Sequence, residues 1–291
     1  MGKLRLAAPL VAAILLAGAL MGSGAGAAAP RTAPAPAQAV FDRQPRLLAT
    51  ALRALQPAAD RPNLYFVGFA GYGSEGVFKR EVLAVRDLFD QRFGTRGRSV
   101  ALINHPSTVA RTPLATEANL QTVLGHVGRV MDRDRDTLFL FLTSHGDKGL
   151  LAVELPGFKL APLTPAGLRS LLDRSRIRNR VVVISACHSG SFIPALSGPT
   201  SLVIAAAHAD RASFGCDDKR RWTYFGDAYF NRALRAETSF TAAFTVAQDL
   251  VSRWEKAGKL IPSLPQMAGG EALPDVDWAG EATAAPPARR P

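Results

Sequence analysis

A histidine and a cysteine stand 42 residues apart, each just past the end of an apolar run. Thr137-Leu138-Phe139-Leu140-Phe141-Leu142 leads into Thr143-Ser144-His145-Gly146. Arg180-Val181-Val182-Val183-Ile184 leads into Ser185-Ala186-Cys187-His188-Ser189-Gly190-Ser191. A thiol is a weak nucleophile until it loses its proton, and an imidazole beside it lowers that barrier. The same imidazole can then protonate a leaving amine. His145 and Cys187 are therefore the candidate catalytic pair for acyl transfer. Small residues around Cys187 allow a sharp backbone turn, and Gly146 follows the histidine. The N–H groups of Gly146 and Cys187 are the candidate oxyanion hole.

Other assignments of these residues compete. His188 is next to Cys187, but neighbours in an extended segment point to opposite sides, which disfavours it as the base. No C-x-x-C or H-x-x-x-H spacing supports zinc, so no metal is expected. Cys187 and Cys216 are the two cysteines of the chain, and in an exported protein they could form a disulfide. Ala70-Gly71-Tyr72-Gly73-Ser74-Glu75-Gly76 joins a strand to a helix. It lacks the full G-x-G-x-x-G fingerprint and the P-loop Lys-Ser/Thr pair. No cofactor is expected.

The pair needs strands to carry it. Apolar runs at 63–69, 99–103, 137–142, 180–184 and 201–207 read as strands buried on both faces. Helical patterns fall between them, at 42–59, from Val77 to Phe89, at 116–130 and at 165–176, with Thr164 as an N-cap and Pro165 at the first helical position. Further helices are expected near 224–234 and 239–257. The segment 148–163 reads as one small hairpin around Pro156-Gly157. Such alternation predicts an α/β fold with a mostly parallel sheet and helices on both faces. Ligands in such sheets bind beyond the carboxyl ends of the strands, where His145 and Cys187 are placed.

The chain has 291 residues, 47% hydrophobic and 20% charged, with a net charge of +11. The basic clusters, at 174–180 and 219–221, do not form the basic stripe with interleaved aromatics that a nucleic-acid site uses, and no nucleic-acid partner is expected. Peripheral contact with an anionic membrane surface is compatible with the charge. Lys3 and Arg5, the apolar stretch from Leu6 to Leu20 and the small residues through Ala29 have the pattern of a secretory signal peptide. The expected organisation is a signal peptide at 1–27, a disordered Ala/Pro linker at 28–41, one catalytic domain at 42–265 and a loose tail at 266–291. The chain is expected to be exported, periplasmic or secreted, or membrane-tethered if the leader is not cleaved. The oligomeric state is left open.

The His-Gly and Ala-Cys-x-Ser-Gly motifs, in this order and at this separation, resemble those of the legumain-like cysteine peptidases, relatives of the caspases. A third match is Ala212-Ser213-Phe214-Gly215-Cys216 followed by Thr223-Tyr224-Phe225-Gly226-Asp227. The resemblance implies a caspase-like three-layer sandwich. It also implies a peptide or protein substrate, cleaved after Asn or Asp by an endopeptidase with a Cys187–His145 dyad. Ser213 and Asp227 are implied to line the pocket for the residue before the scissile bond. Where eukaryotic members carry an Asn-x-Arg-His run, this chain has Val77-Phe78-Lys79-Arg80-Glu81. Lys79 or Arg80 is left to supply the pocket cation, with Arg80 the substrate-binding candidate, and the group that orients His145 is unassigned. His188 stands where the family often has an acidic residue. Transfer to an amine by the same acyl-enzyme, and a non-catalytic envelope binding protein on a degenerate peptidase fold, are the alternatives.

Overall fold

The computed structural model describes residues 37–57 and 61–279. The expected signal peptide and residues 28–36 of the expected linker lie outside the described residues. Helices α1 (Ala37–Asp42) and α2 (Gln44–Arg53) precede strand β1 (Leu64–Ala70). Helix α3 (Gly76–Arg92), strand β2 (Ser99–Ile103), helix α4 (Glu117–Val130) and strand β3 (Thr137–Thr143) follow. Four two-residue strands come next, β4 (Gly146–Asp147), β5 (Leu150–Leu151), β6 (Glu154–Leu155) and β7 (Phe158–Lys159). They form two ribbons, β4–β5 and β6–β7, rather than the single hairpin expected across 148–163. Helix α5 (Pro165–Ser175), strand β8 (Asn179–Ser185), helix α6 (Ile193–Leu196) and strand β9 (Ser201–Ala205) complete the alternating core.

The main sheet has the order β10-β9-β8-β3-β1-β2. Every pairing is parallel except that of β10 (Gln266–Ala268) with β9. Because side chains alternate along a strand, the apolar runs feed two cores. Phe66, Phe139, Phe141, Val181 and Val183 face α3 and α9 (Phe240–Ala257). Tyr65, Val67, Leu138, Leu140, Val182 and Ile184 face α2, α4 and α5. These are the three layers of an α/β sandwich, and burial on both faces explains why the strands read as continuous apolar runs. Among the described residues, no helix is long and apolar enough to cross a membrane.

Three boundaries differ from expectation. Residues 37–41, placed in the loose linker, belong to α1. Val40 is buried with Leu114 and Leu155, and the Phe41 ring meets that of Phe158 edge-on at 5.3 Å. Two apolar side chains anchor a segment whose composition is otherwise that of a linker. The described part of the tail packs on the domain: Met267 pairs with Ile204 across the sheet, and Trp278, 5% exposed, packs into the α3/α9 core. A three-residue edge strand leaves almost no periodicity to read. The helix expected over 224–234 contains a π-helical stretch at Asp227–Ala233 between α7 (Tyr224–Gly226) and α8 (Leu234–Ala236).

The chain runs from β1 to β2 on one side of β1 and returns to β3 on the other. The order therefore reverses between β1 and β3, and the carboxyl ends there open a crevice suited to a ligand. His145 and Cys187 sit along the same edge.

Candidate active site

Register sets the heights of the two candidate residues. Thr143 at the end of β3 is aligned with Ser185 at the end of β8, so His145 and Cys187 each lie two residues beyond a matched pair. Adjacent strands run about 4.8 Å apart. Gly146 closes the approach: a Cβ there would collide with the Cys187 carbonyl and press on the Ala186 side chain. Only a residue without a side chain lets the two strand ends come this near.

The thiol side of the site is made by the turn after β8 and the loop after β9. His188 is left-handed at φ 55°, so the chain bends immediately after Cys187 into a 3₁₀ turn, Ser189–Phe192. Its ring nitrogen Nδ1 bonds the Ala209 carbonyl at 2.9 Å, and its N–H donates to the Arg211 carbonyl. His188 therefore ties the turn to the 206–213 loop. That loop brings Ser213 to the sulfur. The Ser213 N–H donates to Cys187 Sγ at 3.3 Å, and Ser213 Oγ lies 3.8 Å away. An N–H aimed at sulfur is the partner a thiolate accepts. Both cysteines are free thiols, so the disulfide considered above is absent. Burial pushes the Cys216 thiol up to about 12, which keeps it protonated and inert.

The imidazole side is made by the glycine-rich loop after β1. His145 is walled by two rings, with Tyr72 edge-on at 4.6 Å and Phe78 at 5.2 Å. A hydrogen bond to the Glu154 carboxylate pushes the Tyr72 phenol up to about 12, so this wall is neutral. Glu75 Oε2 lies 3.2 Å from His145 Nε2. The glycines of this loop are explained by close backbone approach, since a Cβ on Gly71 would meet the Ala152 carbonyl and one on Gly73 the carbonyls of Asn104 and Glu154.

Beneath the pair lies a buried polar network. Glu81, 0% exposed, accepts through Oε2 from Thr143 Oγ1 at 2.6 Å, and through Oε1 from the Thr223 N–H and Oγ1 at 3.1 and 2.8 Å. Thr223 Oγ1 also bonds Ser185 Oγ at 3.1 Å. One carboxyl thus ties α3 to the end of β3 and, through Thr223, to the end of β8. Burial raises the Glu81 carboxyl above the ordinary range, and the threonine hydrogen bonds oppose that shift.

The remaining candidates have other partners. Arg80 donates to the carbonyls of Asp218 and Arg220 at 2.5 and 2.7 Å and pairs with the Asp218 carboxylate at 3.7 Å. It holds the 216–222 loop over the start of α3. Asp227 opens the π-helical stretch and bonds Asn231 and Arg232 on its own helix. Lys79 reaches His105 and Ser107, at 3.2 and 3.0 Å. Of the three pocket candidates, Ser213 is the one with a contact to Cys187. Glu75 was missed in the sequence. Its signal is a glutamate at a helix N-cap, where Ser, Thr, Asp and Asn are preferred. Among the described residues, no group of three or more His, Cys, Asp or Glu is arranged to hold a metal ion.

A model of the peptidase C13 family matches residues 116–271, just over half of the chain. The match includes His145, Cys187, Ser213 and Asp227, while Glu75, Arg80 and Glu81 precede it. Among solved structures, caspase-1 from Spodoptera frugiperda is similar, with a TM-score of 0.51 over 74% of this chain and 88% of that one. At 12% identity the likeness is one of fold. No curated protein matches the chain.

Proposed function

As this chain belongs to the peptidase C13 family, a family of cysteine peptidases, we propose that it is an exported endopeptidase working through Cys187 and His145. One observation carries this reading: the β3–β8 register sets the two residues at the same height on neighbouring strand ends.

The reaction follows from the groups present. The Cys187 thiolate attacks the scissile carbonyl carbon, and the carbonyl oxygen takes up the negative charge. The N–H groups of Gly146 and Cys187 are the proposed donors to that oxyanion. Collapse of the tetrahedral adduct breaks the C–N bond, and the His145 imidazolium gives its proton to the departing amine. A thioester remains on Cys187. His145 then takes a proton from water as the water attacks, and the acid product leaves with the thiol restored. An amine attacking in place of water would give transfer by the same intermediate.

Cleavage after Asn or Asp is proposed from the likeness of the Ser213 and Asp227 segments to the family motifs. Support comes from Ser213, whose backbone and hydroxyl adjoin the sulfur. Export is proposed from Lys3, Arg5 and the apolar stretch that follows.

The test is digestion of a peptide library by the native chain and by Cys187→Ala. Cleavage focused after Asn or Asp and lost in the variant supports the proposal. Equal cleavage by both chains refutes it. Adding a peptide with a free amino terminus separates hydrolysis from transfer by product mass.

A further inference from the structure

We propose that Glu75 is the positioning residue of His145, the third member of the catalytic set, supplied from the N-cap of α3. The proposal rests on the peptidase reading above. The group is absent from the family motif as it stands in this chain, since no Asn occupies 77–81.

The geometry is direct. Glu75 Oε2 is 3.2 Å from Nε2 of His145, and the two side chains are 28% and 38% exposed. Nε2 then carries the proton shared with the carboxylate, and Nδ1 is the nitrogen that exchanges a proton with the thiol and the leaving amine. Tyr72 and Phe78 confine the ring edge-on on two sides. A carboxylate on the far nitrogen holds the tautomer and stabilises the imidazolium that forms, as in other nucleophile–base–acid sets.

A second observation sits in the helix itself. Glu75 occupies the N-cap of a 17-residue helix with extended backbone (φ −112°, ψ 128°), yet its side chain makes no capping bond. Asp218, from a loop more than a hundred residues away in sequence, accepts from the Gly76 N–H at 2.5 Å instead. Capping has passed to another carboxylate, which frees the longer glutamate side chain to reach the imidazole. Glu75 also acts through space on the Tyr72 phenol, held by Glu154 at about 12, and on the Cys216 thiol, held by burial at about 12. Both are neutral over the working range.

Two readouts test the role. The first needs no peptidase activity: the ring ¹⁵N signals of His145 are recorded in a Cys187→Ala background at a pH where the ring is neutral. With Glu75 present the Nε2-protonated tautomer dominates, and Glu75→Ala gives a mixture. The second is kinetic. Glu75→Gln keeps an acceptor but removes the charge. It lowers kcat about tenfold with KM within about twofold, and moves the alkaline limb of the pH–rate profile to lower pH by about one unit. Glu75→Ala lowers kcat about 100-fold. Asp218 still caps α3, so melting temperatures stay within about 2 °C of the native chain. An unchanged tautomer overturns the proposal, as does a changed tautomer with kcat and the alkaline limb unmoved. If the native chain cleaves no peptide, the peptidase reading fails while the tautomer experiment still decides the role of Glu75.

Discussion

Helix α3 presents two glutamates to the site, one on the rim and one on the floor. Glu75 stands before the first turn, part-exposed, against His145. Glu81 lies in the second turn, sealed from solvent, and gathers Thr143, Thr223 and, through Thr223, Ser185. The rim groups need access to substrate and water, so they sit on loops and make few bonds. The floor groups are fully bonded because a buried polar atom without a partner costs about 1–3 kcal/mol. On the proposed reading, the same residue type serves proton chemistry above and the placement of the two strand ends below. Rim substitutions should alter rate and spare stability, and floor substitutions should alter both.

The largest effect is expected where rim and floor meet. Gly146→Ala places a methyl group against the Cys187 carbonyl, and β3 and β8 must separate to admit it. Overpacking of this kind costs about 1–3 kcal/mol, and kcat should fall at least about tenfold because the base withdraws from the thiol. Thermal melting and steady-state kinetics on one preparation check both. Loss of rate with an unchanged melting temperature would place Gly146 on the rim alone.

Glu81→Gln comes next and reads out the floor through pH. The Glu81 carboxyl titrates above its unfolded value because burial disfavours the charge. Stability that depends on the neutral form is therefore full in acid and is lost as pH rises through the raised value. The native melting temperature should fall relative to Glu81→Gln on going from about pH 4 to pH 8. Parallel melting curves across that range would show that Glu81 is not the titrating floor group.

Ser213→Ala should be the mildest. The backbone N–H that points at Sγ is untouched, and the hydroxyl is 3.8 Å from the sulfur. A change in kcat within about threefold is expected, with the effect falling on KM for Asn or Asp peptides. A 100-fold loss of kcat would move the hydroxyl into the chemical step.

Much of this was legible in the sequence, for identifiable reasons. Strands buried on both faces write continuous apolar runs, so β1, β2, β3, β8 and β9 stand out, and the residues past their ends are where such sheets do chemistry. His145 and Cys187 could be paired because both follow such runs. Contacts made by single side chains across the fold were not legible. Glu75 meets His145 across 70 positions, and Asp218 reaches back to Gly76 across 142. Glu81 sits in the stretch compared with the family motif, but its role depends on Thr143 and Thr223 closing around it. Towards the limits of the described residues, α1 is fixed by Val40 and Phe41 and the 266–279 segment by Met267 and Trp278. Isolated apolar residues in Pro/Ala/Gly-rich stretches carry no periodicity.

The central claim is that Cys187 is the nucleophile and that His145 serves it. Incubation with a peptidyl electrophile ending in Asn or Asp, followed by peptide-resolved mass spectrometry, tests it most directly. The account predicts one adduct, on Cys187, with Cys216 unmodified because its buried thiol stays protonated. It also predicts that labelling is lost in Cys187→Ala and strongly slowed in His145→Ala. Labelling that persists in Cys187→Ala, or a native chain recovered with Cys187 joined to Cys216, would contradict it.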